Sequence, residues 1–321
     1  MGGRAGSRVL GGVLLVLFAL GCGQDPQARG VGDRDAADAP GPLVPKVLLI
    51  GIDGVRPDIL ASARTPHLDR LSRQGSFTER ARTGFPSVSG PGWSSFLIGV
   101  WPEKHGVTDN EFQGKAYGRY PDVLTRVAAL RPELTTYAAA DWLPLVTEDH
   151  NGPVISDDVD RKFIVDGYDL GWAEADSTLV DDAVRTLSTE DPDLSFVYLG
   201  NPDEVSHATG AIGVAYVEAL ERADREVGRL MEAIRSRSTA DREDWLVLVS
   251  TDHGRRVDGG HGGDSPEERT IFYLASGPSA IALPDSVYVV DVAVSALTHL
   301  GIAIDPSWEL DGRPAGVTVG R

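Results

Sequence analysis

Short apolar runs rich in β-branched residues alternate with amphipathic helical segments from Lys46 onward, and this alternation constrains the fold more than any other feature. The continuous apolar run 47–52 predicts a buried strand. Further strands are predicted over 135–140, 195–200, 245–251 and 270–276, and helices over 66–71, 92–98, 122–130, 176–187 and 214–234. Such alternation predicts an α/β fold, with a mostly parallel central sheet covered by helices on both faces.

Acidic and histidine side chains follow three of the predicted strands. The strands 47–52, 195–200 and 245–251 are followed, in that order, by Asp53; by Asp203 and His207; and by Asp252, His253 and His261. Ligands of parallel sheets bind at the carboxyl ends of the strands, so we expect these side chains to lie close together. Asp203 and His207 are four residues apart and can share one face of a helical turn.

This set of three carboxylates and three imidazoles predicts a metal centre. Mixed imidazole and carboxylate ligands suit Zn²⁺, and Mn²⁺ also accepts them. Six ligands are too many for one tetrahedral zinc ion, but they suit two ions with three protein ligands each. Paired ions about 4 Å apart clamp the attacking and leaving oxygens of a phosphoryl or sulfuryl transfer.

Ser89 is the candidate nucleophile, because it lies where a loop enters the predicted helix 92–98. Pro91 suits the first position of that helix, and the glycines on either side allow an anion to approach the backbone closely. The free amides and the dipole of a helix N-terminus favour a phosphate. A serine bound to a metal ion would be activated as an alkoxide. The alternative is that Ser89 only caps the helix.

The order of these motifs resembles the alkaline phosphatase superfamily, and within it the type I phosphodiesterase/nucleotide pyrophosphatase branch. The motifs are Asp53-Gly54, the Ser89 helix entry leading to the segment 98–107, Pro202-Asp203 with His207, Asp252-His253-Gly254, and Gly260-His261-Gly262-Gly263. The resemblance covers about residues 46–300. It implies an alkaline phosphatase-like three-layer sandwich, with the catalytic domain over residues 45–321.

The resemblance also implies a role for each site residue. Asp53, Asp252 and His253 would hold one zinc ion, and Asp203, His207 and His261 the other. Ser89 stands at the nucleophile position, where it would also contact metal, and Asn110 stands where relatives donate a hydrogen bond to a phosphoryl oxygen. Without the resemblance, Asn110 would be read as a turn residue. The implied activity is that of a metal-dependent phosphoric ester hydrolase, phosphodiesterase-like, working through a covalent intermediate on Ser89.

Two departures from the family pattern bear on the substrate. Nucleotide-cleaving relatives carry an aromatic residue immediately after the nucleophile, where this chain has Gly90, and many relatives have Gly where it has Ser206. Sulfatases or phosphonate hydrolases of the same superfamily are one alternative, although Trp93 replaces the Arg of the sulfatase maturation motif. The other alternative is a lipoprotein that binds solutes without turnover, on a degenerate site that should have lost a ligand or the nucleophile.

The N-terminal segment predicts export and lipid attachment. Arg4 and Arg8 precede the apolar run 9–21, which suits the core of a signal peptide over residues 1–21 and is too short to span a bilayer. Ala19-Leu20-Gly21-Cys22 resembles a bacterial lipobox, in which the cysteine is lipidated. Residues 22–44 are rich in Gly, Pro, Ala and Asp, and this composition predicts a flexible lipid-anchored linker. The expected location is the bacterial cell envelope, on the periplasmic or extracellular side.

The net charge limits the kinds of molecule that the protein can bind. Acidic residues outnumber basic ones by 48 to 30, which gives a formal charge of −18. Such a surface repels nucleic-acid polymers and anionic membranes, so we expect membrane contact only through the lipid anchor. A small phosphoester remains compatible as substrate, because bound cations reverse the sign of the field inside a cleft.

Overall fold

The computed structural model of the protein describes residues 41–148 and 152–318. The predicted signal peptide, Cys22 and most of the predicted linker lie outside these residues. The first strand begins at Val44, at the predicted boundary between linker and catalytic domain. None of the described helices is long and apolar enough to cross a membrane.

A seven-stranded sheet forms the centre of the described residues, in the order β2-β7-β6-β1-β5-β3-β4. Strands β6, β1, β5, β3 and β4 run parallel, whereas β7 is antiparallel to both β6 and β2. The strand bounds are β1 Val44–Ile52, β2 Ser76–Arg82, β3 Thr136–Ala140, β4 Arg161–Ile164, β5 Leu194–Leu199, β6 Glu243–Ser250 and β7 Thr270–Ser276. The prediction of a mostly parallel sheet is confirmed.

Helices cover both faces of this sheet. The described helices are α1 Pro57–Leu60, α2 Pro66–Gln74, α3 Ser89–Ile98, α4 Pro102–His105, α5 Val123–Leu130, α6 Gly167–Leu170, α7 Trp172–Thr189, α8 Asn201–Thr209, α9 Val214–Arg235, α10 Pro266–Arg269 and α11 Asp291–His299. Helices α3, α5 and α11 pack on one face of the sheet, and α2, α7 and α9 pack on the other. The result is the predicted three-layer sandwich.

The position of β1 at the centre of the sheet explains why residues 47–52 are apolar without interruption. Val47 and Leu49 belong to the core on the α3 side, whereas Leu48 and Ile50 belong to the core on the α9 side. Successive side chains of a strand point to opposite faces, so a strand between two helical layers must be apolar at every position. The end of β1 thereby delivers Asp53 to the carboxyl edge of the sheet, and Asp53 is itself buried.

The start of α3 differs from the prediction. The helix begins at Ser89, three residues earlier than predicted, and Val88 occupies the position that precedes it. Pro91 is therefore the third residue of the helix and not the first. Ser89 is not the cap of this helix, which removes the alternative that its role is capping alone.

Two buried aspartates anchor α8, the helix that carries Asp203 and His207. Asp176 of α7 accepts hydrogen bonds from the amides of Gly200 (2.9 Å) and Asn201 (3.4 Å) at the start of α8. Asp141 follows β3 and lies against Asp176, and no hydrogen-bond donor within the described residues reaches its carboxylate oxygens. Burial raises the pKa of both carboxyl groups, and the charge of Asp176 raises the pKa of Asp141 further.

This pair predicts a specific pH dependence of stability. A carboxyl whose pKa is raised by folding contributes stability that is complete below about pH 3.9 and is lost as the pH rises through the folded-state pKa. We therefore expect the change in the free energy of unfolding from pH 5 to pH 8 to be less favourable in the wild type than in Asp141→Asn, because the variant lacks one of these carboxyl groups. The difference between the two changes should exceed about 1.4 kcal/mol, the equivalent of one pKa unit.

Urea unfolding at fixed zinc concentration, at pH 5, 6.5 and 8, measures this difference. Asp285→Asn, at an exposed position, serves as the control and should follow the wild type. Parallel pH profiles for wild type and Asp141→Asn would contradict the raised pKa values of this pair.

Candidate active site

The six predicted ligand residues lie together at the carboxyl edge of the sheet. The sheet register places β1 between β5 and β6, so the ends of these three strands are neighbours. Asp53 follows β1, α8 follows β5 after one residue, and Asp252 and His253 follow β6. His261 reaches the same point from the glycine-rich loop after β6.

Asp53, Asp252 and His253 form the first group of candidate ligands. The Nε2 atom of His253 lies 3.5 Å from Oδ1 of Asp53 and 3.4 Å from Oδ2 of Asp252. Both carboxylate oxygens are buried, and no donor in the described part of the chain hydrogen-bonds to either of them. His253 Nδ1 faces the carbonyl of Gly254 at 2.9 Å, so Nδ1 carries the proton and Nε2 presents a lone pair. Two anionic oxygens and a lone pair that converge in this way fit a bound cation.

The other oxygen of Asp53 is held by two aromatic side chains. Trp93 Nε1 donates to Asp53 Oδ2 at 2.9 Å, and the Tyr198 hydroxyl donates to the same oxygen at 2.6 Å. These bonds leave Oδ1 free to face His253. The sequence did not indicate either partner, because Trp93 comes from α3 and Tyr198 from β5, and only the fold brings them together.

Asp203, His207 and His261 form the second group. His207 Nε2 lies 3.0 Å from Asp203 Oδ2 and 3.1 Å from His261 Nε2. A tetrahedral zinc ion with bonds of about 2.0–2.1 Å sets its ligand atoms about 3.3 Å apart, so these separations suit zinc. His261 Nδ1 faces the carbonyl of Ser87 at 2.9 Å, which leaves its Nε2 as the acceptor.

The two groups share a boundary at His253. The rings of His253 and His261 stack with centroids 3.9 Å apart, and Asp203, His253 and His261 also offer atoms that lie within 4.8 Å of one another. The first group meets the same condition. The two clusters whose ligand atoms lie this close are Asp53, Asp252 and His253, and Asp203, His253 and His261, and each could hold a metal ion. His253 belongs to both clusters, and His207 adjoins the second through its contacts with Asp203 and His261.

Burial sets the charge state of this centre. It lowers the pKa of His253 to about 3 and that of His261 to about 2, so both imidazoles are neutral near pH 7, the form that binds metal. Burial raises the pKa of Asp252 well above its usual range, and the charge of Asp53 adds to this effect. A buried cluster of carboxylates with neutral imidazoles requires positive charge to be stable.

Ser89 lies beside the first group. Its Oγ atom is 3.2 Å from His253 Nε2, and the side chain is almost fully buried at the first residue of α3. The helix approaches closely because Gly92 faces Asp252, whose carboxylate a β-carbon at position 92 would contact at 3.0 Å. The hydroxyl group of Ser89 thus faces the first group at the carboxyl edge of the sheet.

Asn110 lies in the loop after α4 and borders the same space. Its Oδ1 accepts a hydrogen bond from the Gly90 amide at 2.7 Å, which orients the side-chain Nδ2 group as the remaining donor. A β-carbon at position 90 would collide with the carbonyl oxygen of Asp109. The backbone of this loop therefore leaves no room for an aromatic residue directly after Ser89.

A pocket of about 90 Å³ opens onto these residues. Its wall includes aromatic side chains from separate parts of the chain, namely Trp142, Tyr168, Trp172 and Tyr198. Glu204 also lines it, and it contains no lysine or arginine among the described residues. The sequence alone does not reveal this wall, because the aromatic residues follow no common spacing and come from the loop after β3, from α6, from α7 and from β5.

The chain belongs to the type I phosphodiesterase/nucleotide pyrophosphatase family, whose sequence profile matches residues 47–256. This family lies within the alkaline phosphatase superfamily, as the sequence motifs predicted. Residues 280–315, which include α11, match a second profile that describes a domain of unknown function, DUF4983.

Two curated relatives show how far the sequences of the family have diverged from this chain. Mouse ectonucleotide pyrophosphatase/phosphodiesterase family member 1 is 26% identical over 235 residues, which cover 65% of this chain and 24% of that protein. Human member 7 is 24% identical over 298 residues, which cover 84% of this chain and 60% of that protein. The chain thus spans less than two thirds of the length of either relative.

Solved structures share the fold at low sequence identity. A 2-O glycosaminoglycan sulfatase, BT1596, has a TM-score of 0.67 and 13% identity, covering 84% of this chain and 73% of its own. The phosphonate monoester hydrolase of Agrobacterium radiobacter has a TM-score of 0.62 and 16% identity, covering 80% and 74%. Murine ectonucleotide pyrophosphatase/phosphodiesterase 5 has a TM-score of 0.61 and 15% identity, covering 85% and 97%.

The geometry of the two groups predicts how metal content responds to the loss of one histidine. His261→Ala removes a ligand atom from the second group, and we expect it to lower the zinc content by roughly one ion per chain. His299→Ala, on α11 and outside both groups, should leave the zinc content unchanged. Atomic emission spectroscopy of the purified full chains, after dialysis against buffered zinc, measures both. Equal zinc content in all three proteins would remove the second metal site.

Proposed function

We propose that the protein is a two-zinc phosphoric ester hydrolase that cleaves small phosphodiesters with Ser89 as nucleophile. The observation that carries this proposal is the position of Ser89 Oγ, 3.2 Å from the Nε2 atom of His253 and at the N-terminus of α3. A hydroxyl group in that position adjoins both clusters of candidate ligands. Family membership supports the same chemistry.

In this proposal Asp53, Asp252 and His253 hold one zinc ion, and Asp203, His207 and His261 hold the other. Their fit rests on the unpartnered oxygens of Asp53 and Asp252 and on the short separations among the second set. Zinc is favoured by the mixed donor set, and Mn²⁺ accepts the same ligands. Bound there, the ions would lower the pKa of the Ser89 hydroxyl and offset the negative charge of the phosphate oxygens.

Ser89 carries the covalent step. Its Oγ attacks phosphorus as the bond from phosphorus to the leaving alcohol oxygen breaks, and the serine proton passes to water while the leaving oxygen takes one from water. A water molecule then attacks the phosphorylated serine, the bond from Oγ to phosphorus breaks, and Ser89 regains its proton. Asn110 contributes a neutral donor to a non-bridging oxygen, because its Oδ1 is already bonded to the Gly90 amide.

The charges around the pocket favour diesters over monoesters. A diester carries one negative charge, which suits the neutral amide of Asn110. A dianionic monoester is commonly bound by arginine, and the described lining of the pocket supplies neither arginine nor lysine but does supply Glu204. The aromatic side chains of Tyr168 and Trp172 give a leaving group an apolar surface to contact.

The alternatives find less support in the site. For a sulfatase, the residue at position 93 would have to be the arginine of the maturation motif. Here Trp93 is fully buried and bonded to Asp53. For a solute-binding protein without turnover, the site should lack a ligand or the nucleophile, yet all six candidate ligands and Ser89 lie together.

A panel of chromogenic aryl esters tests the proposed activity. The full chain with zinc should cleave an aryl phosphodiester with a higher kcat/KM than the matching phosphate monoester or sulfate ester. Ser89→Ala should lose orders of magnitude in kcat while keeping its zinc, and Asn110→Ala should lose about 10²-fold, the usual effect of one transition-state donor. Ser62→Ala, at an exposed serine, is the matched control. A preference for the sulfate ester, or near-normal turnover of Ser89→Ala, would contradict the proposal.

We further propose that the protein is anchored by lipid at Cys22 in the bacterial cell envelope, with the catalytic domain outside the cytoplasm. Two or three acyl chains attach a protein stably, whereas one attaches it only marginally. Cys22→Ser should therefore move the protein to the soluble fraction, and Gln27→Ser should remain with the membranes. Ultracentrifugation and immunoblotting of cell fractions measure the distribution, and a membrane-bound Cys22→Ser protein would exclude the anchor.

A further inference from the structure

Arg255 is a buried cation at the metal centre that the proposed mechanism does not use. It directly follows Asp252-His253-Gly254, and its side chain has no exposed surface. Its guanidinium group contacts three different segments. Nε donates to the carbonyl of Gly54 at 2.8 Å, Nη1 donates to the carbonyl of Gly259 at 2.9 Å, and Nη2 forms an ion pair with Asp203 Oδ1.

Each of these segments carries a candidate metal ligand. Gly54 adjoins Asp53, Gly259 lies two residues before His261, and Asp203 is itself a candidate ligand. One rigid, planar group thus links the end of β1, the first turn of α8 and the loop after β6. Arginine suits this task because its donors form a fixed fork that retains its charge.

The two oxygens of Asp203 have different neighbours as a result. Oδ1 pairs with Arg255 and lies 4.0 Å from Nε2 of His261. Oδ2 lies 3.0 Å from Nε2 of His207, which is in turn 3.1 Å from Nε2 of His261. Oδ1 also lies 3.9 Å from Nε2 of His253, so it faces the guanidinium and both buried imidazoles, while Oδ2 faces His207.

The backbone is shaped to admit this guanidinium group. Gly54 has a φ of +63°, and a β-carbon there would collide with Nη2 of Arg255 and with Oδ1 of Asp203. Nη1 of Arg56 donates to the carbonyl of Arg255 at 2.7 Å, which fixes the chain from which the side chain extends. Burial lowers the pKa of Arg255 to about 10, so the group stays charged at neutral pH.

We propose that Arg255 is a positioning residue that engages Oδ1 of Asp203 and so fixes how this carboxylate faces the metal ion of the second group. The inference rests on the proposed metal centre and adds a determinant of its coordination. With Oδ1 engaged by the guanidinium, the carboxylate would bind an ion of the second group through Oδ2, the oxygen beside His207. Without Arg255, Asp203 can rotate and offer both oxygens to the ion.

A purely electrostatic role makes the opposite prediction for affinity. A fixed positive charge repels a bound cation, so its removal would tighten metal binding if repulsion were its main effect. Positioning requires that removal weaken binding, and the loss of a partner that orients a ligand typically costs 10–100-fold in metal affinity. The sign of the change in Kd therefore separates the two roles.

The experiment compares the full chain with Arg255→Met, Arg255→Lys and the control Arg256→Met. Arg256 is the neighbouring arginine, but its side chain is about half exposed and pairs with Asp258 and Glu268. Arg255→Met should raise the zinc Kd of one site about 10–100-fold, as measured by competition with a chromophoric chelator. Arg255→Lys keeps the charge but lacks the fork, so it should behave like Arg255→Met.

Cobalt substitution supplies a second measurement that does not depend on activity. Geometry sets the visible spectrum of Co²⁺, and the intense bands of a four-coordinate ion should weaken for one site in both Arg255 variants, as its coordination number rises. Arg256→Met should match the wild type. A lower or unchanged zinc Kd in Arg255→Met, wild-type behaviour of Arg255→Lys, or unchanged cobalt bands would each overturn the inference.

The same data separate this inference from the proposed function. If the wild type binds two zinc ions and the Arg255 variants match it, only the role of Arg255 fails. If the wild type binds no zinc or cobalt, the metal centre fails, and the role of Arg255 with it. Failure of both Arg255 variants to fold in zinc would also overturn the inference, because it predicts a folded protein with one weakened site.

Discussion

The repulsion among three aspartates held out of water at one edge of the sheet is the constraint on which the rest of the site depends. Asp53, Asp203 and Asp252 are all buried and lie around the imidazole of His253. Burial of like charges is costly unless cations or protons balance them. Arg255 supplies one positive charge within the protein, and one buried oxygen each of Asp53 and Asp252 has no hydrogen-bond donor among the described residues. The strand ends, the helix positions and the glycines of this region all serve to bring these groups together.

The fold alone does not select a reaction, because a sulfatase and a phosphonate hydrolase share it with this chain. The reaction is determined by the few groups that would contact a substrate. Ser89 and Asn110 border a space lined by aromatic side chains and one glutamate, without a basic residue in its described lining. These contacts favour a singly charged ester, which is why the diester proposal rests on the pocket and not on the architecture.

Much of the architecture could be predicted from the sequence, because the central strands β1 and β5 lie between two apolar layers and carry mostly apolar side chains. The edge strands β2 and β4 were not predicted. They carry charged residues such as Glu79 and Lys162 and have a partner strand on one side only, so their pattern is weak. The ligand residues could be named because acids and histidines directly follow strands. Trp93, Tyr198 and Arg255 could not be assigned their roles, since each acts through a contact with a residue distant in sequence.

The close contact between Gly90 and residues 109–110 determines both which side chain fits at position 90 and how Asn110 is oriented. An aromatic residue at position 90 would need that loop to withdraw, because the carbonyl of Asp109 occupies the place of its β-carbon. The same withdrawal would break the bond from the Gly90 amide to Asn110 and release the side-chain amide that borders the pocket. An aromatic residue at this position would therefore disturb the orientation of Asn110. A change in what the pocket accepts should instead arise at Tyr168 and Trp172, which line the same pocket from α6 and α7.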